Sequence, residues 1–362
     1  MNNTQSKLVV GDSTSMSEIE DSSVQLVVTS PPYPMIAMWD DIFGNQDPRI
    51  KDSLDNNDCA TCFELMHQIL DQVWREVERI LIPGGIACIN IGDATRTVDK
   101  NFQLFNNHSR IVQCFLKYGM QTLPTLIWRK QTNAPNKFLG SGMLSPGAYV
   151  TLEHEYILIF RKGRKREFNT QPEKLNRSRS AFFWEERNIW FSDVWFDLKG
   201  ANQKIKTKNL RDRSGAFPFD LAYRLIQMFS VKNDTVVDPF LGAGTTSIAS
   251  MASQRNSVGY EIDSNFTSTI VQAMLKSVES SNIYIEDRLK RHMEFVDERQ
   301  KLKGPMGYEN EVHGFPVLTS QETKSEFCFI TDAESVSKDT IVGSYHVASD
   351  VNQPGSQASL GV

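Results

Sequence analysis

The run Val236-Val237-Asp238-Pro239-Phe240-Leu241-Gly242-Ala243-Gly244-Thr245-Thr246 reads as an apolar strand, a glycine turn and the opening of a helix. A turn of this kind brings backbone N–H groups close to a ligand. The next apolar run, Val258-Gly259-Tyr260-Glu261-Ile262, carries Glu261 nineteen residues after Gly242. A carboxylate at that strand tip can accept hydrogen bonds from both ribose hydroxyls of a nucleoside cofactor. The spacing Gly242-x-Gly244-x-x-Ser247 also fits a dinucleotide fingerprint without its third glycine. On these residues alone, a nicotinamide cofactor and an unliganded turn both stay open. Asp238 tilts the choice, because a carboxylate just before the turn repels a pyrophosphate and suits the cationic amino-acid end of S-adenosylmethionine.

Outward from this run, strands and helices alternate. Leu8-Val9-Val10 and Val24 to Val28 are short apolar runs of the kind that parallel strands need when both faces are covered. Phe63, Met66, Leu70, Val73, Val77 and Ile80 recur at helical spacing, and Pro83-Gly84-Gly85 stops that helix. Strands follow at Ile86–Ile91, Leu123–Trp128 and Tyr156–Phe160, with a helix over Ile111–Tyr118. Pro218 can start a helix carrying Leu221, Leu225 and Ile226, and Ser264 can cap another through Met274. The alternation predicts an α/β fold. Residues 161–213 break the pattern and read as an insertion with little regular structure. Fifteen basic against seven acidic residues give it a net charge of +8. From residue 303 the chain turns polar and acidic and is expected to be peripheral, with edge strands over Glu326–Ile330 and Thr340–Val347.

A second motif, Thr29-Ser30-Pro31-Pro32-Tyr33-Pro34, follows the strand that ends at Val28. It can be a proline-stiffened turn and nothing more. Its chemistry fits a sharper purpose. The exocyclic amine of cytosine or adenine is a poor nucleophile, because its lone pair is delocalised into the ring. Two acceptors aimed at its N–H bonds draw the nitrogen towards tetrahedral geometry. Ser30 supplies a hydroxyl oxygen, Pro31 a carbonyl restrained by proline's fixed φ, and Tyr33 a flat face for the base.

Phe240-Leu241-Gly242-Ala243-Gly244 and Ser30-Pro31-Pro32-Tyr33 together resemble the cofactor and catalytic motifs of the DNA amino-methyltransferases. The catalytic motif comes first, the basic insertion next and the cofactor motif last, which looks like the family's β circular arrangement. The resemblance spans roughly residues 8 to 275. It implies a Rossmann-like S-adenosylmethionine-dependent methyltransferase sheet, circularly permuted, with an inserted target-recognition region. The implied division is a catalytic half over 1–160, recognition over 161–213, a cofactor half over 214–302 and a tail over 303–362. Catalysis falls to Ser30, Pro31, Pro32 and Tyr33. Cofactor binding falls to Asp12, Phe217, Pro218, Asp238, Pro239, Phe240, Gly242, Gly244, Thr245, Thr246 and Glu261. His154-Glu155-Tyr156 falls on the strand that the family places near an extruded base. Arg164, Lys165, Arg166, Arg177, Arg179, Lys204, Lys206 and Lys208 are expected to meet the phosphates of double-stranded DNA, with the insertion's aromatics filling a groove or stacking on bases.

Serine at the head of the catalytic motif is typical of the cytosine-N4 members, so that resemblance favours cytosine over adenine N6. It also implies functional pairing with a restriction endonuclease. A nicotinamide-dependent oxidoreductase, a DNA-binding module without activity, and an RNA or protein amino-group substrate are the competing readings. Five cysteines and an N-terminus with no apolar signal core point to a reducing cytoplasm and no membrane. Cys59-x-x-Cys62 has no second half to complete a zinc site and reads as structural. His154 reads as a strand histidine before a general base, and Trp39-Asp40-Asp41 as either a closing loop or plain surface.

Overall fold

The computed structural model describes residues 3–130, 139–200 and 217–348. In chain order the main elements are β1 (Asn3–Val10), β2 (Val24–Thr29), α1 (Asp40–Gln46), α2 (Pro48–Asp55), α3 (Cys59–Ile80), β3 (Leu81–Ile91), α4 (Asn107–Lys117), β4 (Leu126–Arg129) and β5 (His154–Arg161). Then come α5 (Gln171–Arg179), α6 (Trp184–Trp190), β6 (Val194–Trp195), α7 (Phe219–Phe229), β7 (Thr235–Asp238), α8 (Thr245–Ala252), β8 (Asn256–Glu261), α9 (Thr267–Lys303), β9 (Cys328–Ser337) and β10 (Thr340–Val347).

The strands form one mixed sheet in the order β6-β4-β5-β3-β2-β7-β8-β1-β10-β9, with the short strand Gln121–Thr122 beside β5. Its centre, β3-β2-β7-β8-β1, is parallel; β5 and β10 run antiparallel to it on either side. Strands β2 and β7 are distant in sequence and adjacent in space, with Val236 opposite Leu26 and Val237 opposite Val27. Alternate residues of β2 explain why it needs cover on both sides. Val27 packs into the core under α3 and α4 with Val73, Trp74 and Phe115. Leu26 and Val28 face the core under α7 and α8 with Leu221, Leu225 and Ala249. Each such side chain contributes about 1.5–3 kcal/mol by burial.

Helix α3 starts where the Asp58 side chain accepts the Thr61 N–H at 3.1 Å, and Leu81 leaves it in extended conformation. Gly84 follows at φ +86°, where an added Cβ would lie 2.4 Å from the backbone nitrogen of Arg166. No helix among the described residues is long and apolar enough to cross a membrane.

Two expectations are corrected here. The described part of the basic insertion is not irregular: it holds α5, α6 and β6, and β6 extends the sheet in parallel with β4. A capping box at Thr170 and Glu173 begins α5. Of its aromatics, Phe183, Trp190 and Trp195 are buried, so they serve the core and not a nucleic-acid groove. The chain from 304 to 348 is not peripheral either. Phe315 and Phe327 pack with Phe183 of the insertion and Leu289 of α9 into a core of their own. The hairpin β9–β10 completes the sheet beyond β1, as edge strands. Buried Arg288 of α9 binds both carboxylate oxygens of Glu186 in α6, tying the insertion to α9.

Candidate active site

The carboxyl ends of β2 and β7 bring the two sequence motifs side by side. Thr29, the last residue of β2, donates its hydroxyl to Asp238 Oδ1 at the tip of β7. Thr246 in the first turn of α8 donates to Asp238 Oδ2 at 2.6 Å, and the Phe240 N–H reaches Oδ1 at 3.0 Å. Asp238 is 3% exposed, and burial pushes its carboxyl up to about 6 despite these three donors. The three bonds also lock the tip of one motif strand to the other.

In front of this junction lies a cavity of about 310 Å³. Ser30, Pro31, Pro32 and Tyr33 line it from one side; Asp238, Pro239, Phe240, Gly242 and Thr245 line it from the other. Asp12, Phe217 and Glu261 also face it. Gly242 sits at φ +55° and gives its N–H to Glu261 Oε2 at 3.0 Å, while Asp263 N donates to Oε1. Burial pushes the Glu261 carboxyl above the usual range. Gly244 caps α8 at φ +88°, and a Cβ there would lie 3.0 Å from Ile270. Gly244, Thr246 and Pro218 stand behind the lining: Pro218 caps α7, and Thr246 acts through Asp238. Helix α1 roofs the cavity with Ile42, Phe43 and Gln46 after a short turn ending at Trp39. Asp40 of α1 makes a two-pronged ion pair with Arg96 at 2.8 and 2.9 Å, which fastens the roof. Trp39 lines the cavity and Asp40 is paired, so this segment is part of the cavity wall.

Deeper on the Ser30 side is a polar network that the motifs alone do not reveal. Ser30 Oγ donates to the Tyr33 hydroxyl at 3.2 Å, and that hydroxyl donates to Glu155 Oε2 at 3.0 Å. Asn90 Nδ2 donates to the Tyr33 oxygen at 2.9 Å and to Glu155 Oε2 at 2.7 Å. Lys130 Nζ pairs with the other oxygen of Glu155 at 2.7 Å. Burial and the Glu155 charge push the Tyr33 phenol well above its ordinary range, so it stays protonated. Gly92 leaves room for the ring, since a Cβ there would stand 3.0 Å from Tyr33 Cε2. His154 takes no part: its ring packs edge-on against Tyr156. The sequence signal for Glu155 was its place beside His154 on a strand near the catalytic motif; Asn90 and Lys130 gave none.

The fold and the cavity have relatives. A sequence model described as DNA methylase matches residues 24–272, more than half of the chain. The Type II methyltransferase M.MthZI of Methanothermobacter thermautotrophicus is 51% identical over 312 residues, 86% of this chain and 86% of that protein. The Type II methyltransferase M.MjaI of Methanocaldococcus jannaschii is 50% identical over 275 residues, 72% of this chain and 88% of that one. The chain belongs to the DNA methylase family. Among solved structures, TTHA0409 of Thermus thermophilus, described as a DNA modification methylase and complexed with S-adenosyl-L-methionine, superposes with a TM-score of 0.57 at 32% identity. The match covers 75% of this chain and 96% of that one.

In this DNA methylase the basic residues from Arg164 to Arg179 lie at one end of the sheet. Strand β5 runs against β3, so it delivers the chain to the amino ends of the parallel strands, away from the cavity. There Arg166 pairs with Asp234 ahead of β7 at 2.7 Å, and Arg179 lies 3.6 Å from Glu326. Arg177 lies over the Phe168 ring at 5.1 Å, and Arg164 and Lys165 are exposed next to Arg166. Arg164, Lys165, Arg166, Arg177 and Arg179, expected to meet DNA phosphates, thus lie at the end of the sheet away from the cavity. Lys204, Lys206 and Lys208 lie outside the described residues. The chain leaves that description at Gly200, near Lys130, and returns at Phe217, which lines the cavity. A second feature at the cavity end is the hairpin of Leu139–Gly140 with Ala148–Tyr149, between β4 and β5. Tyr149 stacks on Phe102 at 4.4 Å, and Met143, Leu144 and Val150 are 82%, 72% and 88% exposed.

Proposed function

We propose that this DNA methyltransferase transfers a methyl group from S-adenosyl-L-methionine to the N4 amine of a cytosine extruded from duplex DNA, and that it works alongside a restriction endonuclease. The observation that carries the reading is the meeting of Ser30–Tyr33 with Asp238–Gly242 around one cavity, at adjacent strand tips. The wall fits the cofactor. Glu261 stands where ribose hydroxyls would be held, buried Asp238 suits a cationic end, and Asp12 offers a further acceptor. Tyr260 is a further lining residue. When bound, the cofactor supplies an activated methyl sulfonium. Ser30 and Pro31 supply the acceptors that draw the amine nitrogen towards tetrahedral geometry, Tyr33 gives the base a face, and α1 keeps water out.

Serine at the head of the motif supports cytosine by resemblance to the N4 members; adenine N6 is the second reading. The exposed apolar hairpin tip supports a DNA-facing surface, and the lysines in the sequence of residues 201–216 carry charge that suits phosphates. Incubation with labelled S-adenosyl-L-methionine and mixed-sequence DNA tests the reading, and mass analysis of the hydrolysed bases separates N4-methylcytosine from N6-methyladenine. Label found only in adenine would overturn the base; no label in DNA would overturn the activity.

A further inference from the structure

We infer that Glu155, acting through Tyr33, holds Ser30 as a hydrogen-bond acceptor and so makes the cavity select an amino group over a keto group on the base it receives. This rests on the DNA methyltransferase reading above and adds a positioning residue outside both motifs.

Counting donors and acceptors leads there. A tyrosine hydroxyl has one proton and two lone pairs, and a carboxylate has acceptors alone. Tyr33 commits its proton to Glu155 Oε2 at 3.0 Å. Asn90 Nδ2 bridges the same two oxygens, at 2.9 and 2.7 Å, and so takes one lone pair of Tyr33. Turned round, the Asn90 amide would set its own oxygen 2.7 Å from a carboxylate oxygen, which repulsion forbids. Tyr33 can therefore only accept from Ser30, and the Ser30 proton goes to it at 3.2 Å. Serine has no second proton. What Ser30 offers the cavity is lone pairs.

A neutral hydroxyl can ordinarily turn to donate or accept as its partner demands. Here the carboxylate two bonds away removes that freedom. An amine presented to Ser30 finds an acceptor, and a ring carbonyl at the same place finds two facing lone-pair sets with no proton between them. Cytosine differs from uracil, and adenine from hypoxanthine, at this group and at the ring nitrogen next to it, which carries a proton in the keto base; the Tyr33 and Glu155 variants isolate the part due to Ser30. Lys130 serves by fixing Glu155 in place, with Nζ 2.7 Å from Oε1.

The test uses the full chain with S-adenosylhomocysteine and duplexes carrying the recognition site found by mapping methylated positions. The target base is placed opposite an abasic site, so that pairing costs do not enter. Affinity is compared for cytosine against uracil, or adenine against hypoxanthine if adenine is the methylated base. The wild type should prefer the amino base about tenfold or more, the range expected for a buried polar group left unmatched. Tyr33→Phe keeps the ring and cuts the chain, and the preference should fall to about twofold or less by the same reasoning. Glu155→Gln is isosteric and lets Tyr33 receive a proton, so it should do the same. Calorimetric affinity for S-adenosylhomocysteine should stay unchanged in both variants, which separates lost polarity from a damaged fold. An unchanged preference in both variants, or equal binding of both bases by the wild type, overturns the inference. No methyl transfer to DNA by the wild type overturns the parent reading instead.

Discussion

Asp238 both joins the two motif strands and faces the cavity. Its proton is held more tightly in the folded chain, to about 6, than in an unfolded one near 3.8. The native state therefore binds the extra proton between these values, and stability falls as pH rises from about 4 through 6. The full loss is about 3 kcal/mol at neutral pH. Asp238→Asn should flatten that slope, as read by urea unfolding at pH 4.5 and 7.5. A cationic ligand end repays the charge, so cofactor affinity of the wild type should rise over the same pH interval and that of Asp238→Asn should not. Calorimetry across pH decides it. For the catalytic motif, Ser30→Ala and Tyr33→Ala should each lower single-turnover methyl transfer by about a hundredfold or more, with cofactor affinity within about twofold, since they remove positioning at the amine. Ser30, Tyr33 and Asp238 were legible as residues because their chemistry is written in type and spacing. Glu155 was legible only as a neighbour: nothing in a strand's sequence says which hydroxyl its carboxylate will meet.

The elements read well wherever one periodicity ran long enough. Helix α3 and strands β2, β3, β5 and β7 fall where apolar spacing predicts them. Reading failed where polar composition masked order. Helix α5 has no buried residue, so it shows no apolar stripe, and it forms on its capping box and on contacts such as Asn176 Nδ2 to the Lys232 carbonyl. Helix α1 depends on tertiary support too, since the Arg96 ion pair fastens it over the cavity. Arg96→Ala should weaken cofactor binding by about three- to tenfold, the loss of a partly buried ion pair, and calorimetry reads it directly. The hairpin tip makes a separate prediction. Met143→Ser with Leu144→Ser should weaken duplex binding while cofactor affinity stays the same, measured by fluorescence anisotropy and calorimetry.

At the scale of the molecule, charge and packing separate. Charge reversal at Lys204, Lys206 and Lys208 should weaken duplex affinity and flatten its salt dependence, by a slope of about 0.9 for each phosphate no longer neutralised. Reversal at Arg164, Lys165 and Arg177, at the far end of the sheet, should leave both nearly unchanged; titration at two salt concentrations compares the two sets. Helix α6 of the insertion and α9 are held together through Arg288, whose side chain is 3% exposed. Glu186→Ala strands that cation and should cost about 3–5 kcal/mol in urea unfolding.

Residue order alone determined the α/β alternation, the two motifs and the kind of chemistry they suit, because strand, turn and helix signals act within a few residues and acceptor chemistry belongs to side-chain type. Folding in three dimensions decided which strands became neighbours, and so that Thr29 would meet Asp238. It also decided that Arg166 and Arg179 would sit at the end away from the cavity and that the Ser30 hydroxyl would meet Tyr33, and Tyr33 Glu155. Those outcomes depend on strand direction and long-range pairing, where residues hundreds of positions apart come within one hydrogen bond, and no local spacing encodes that.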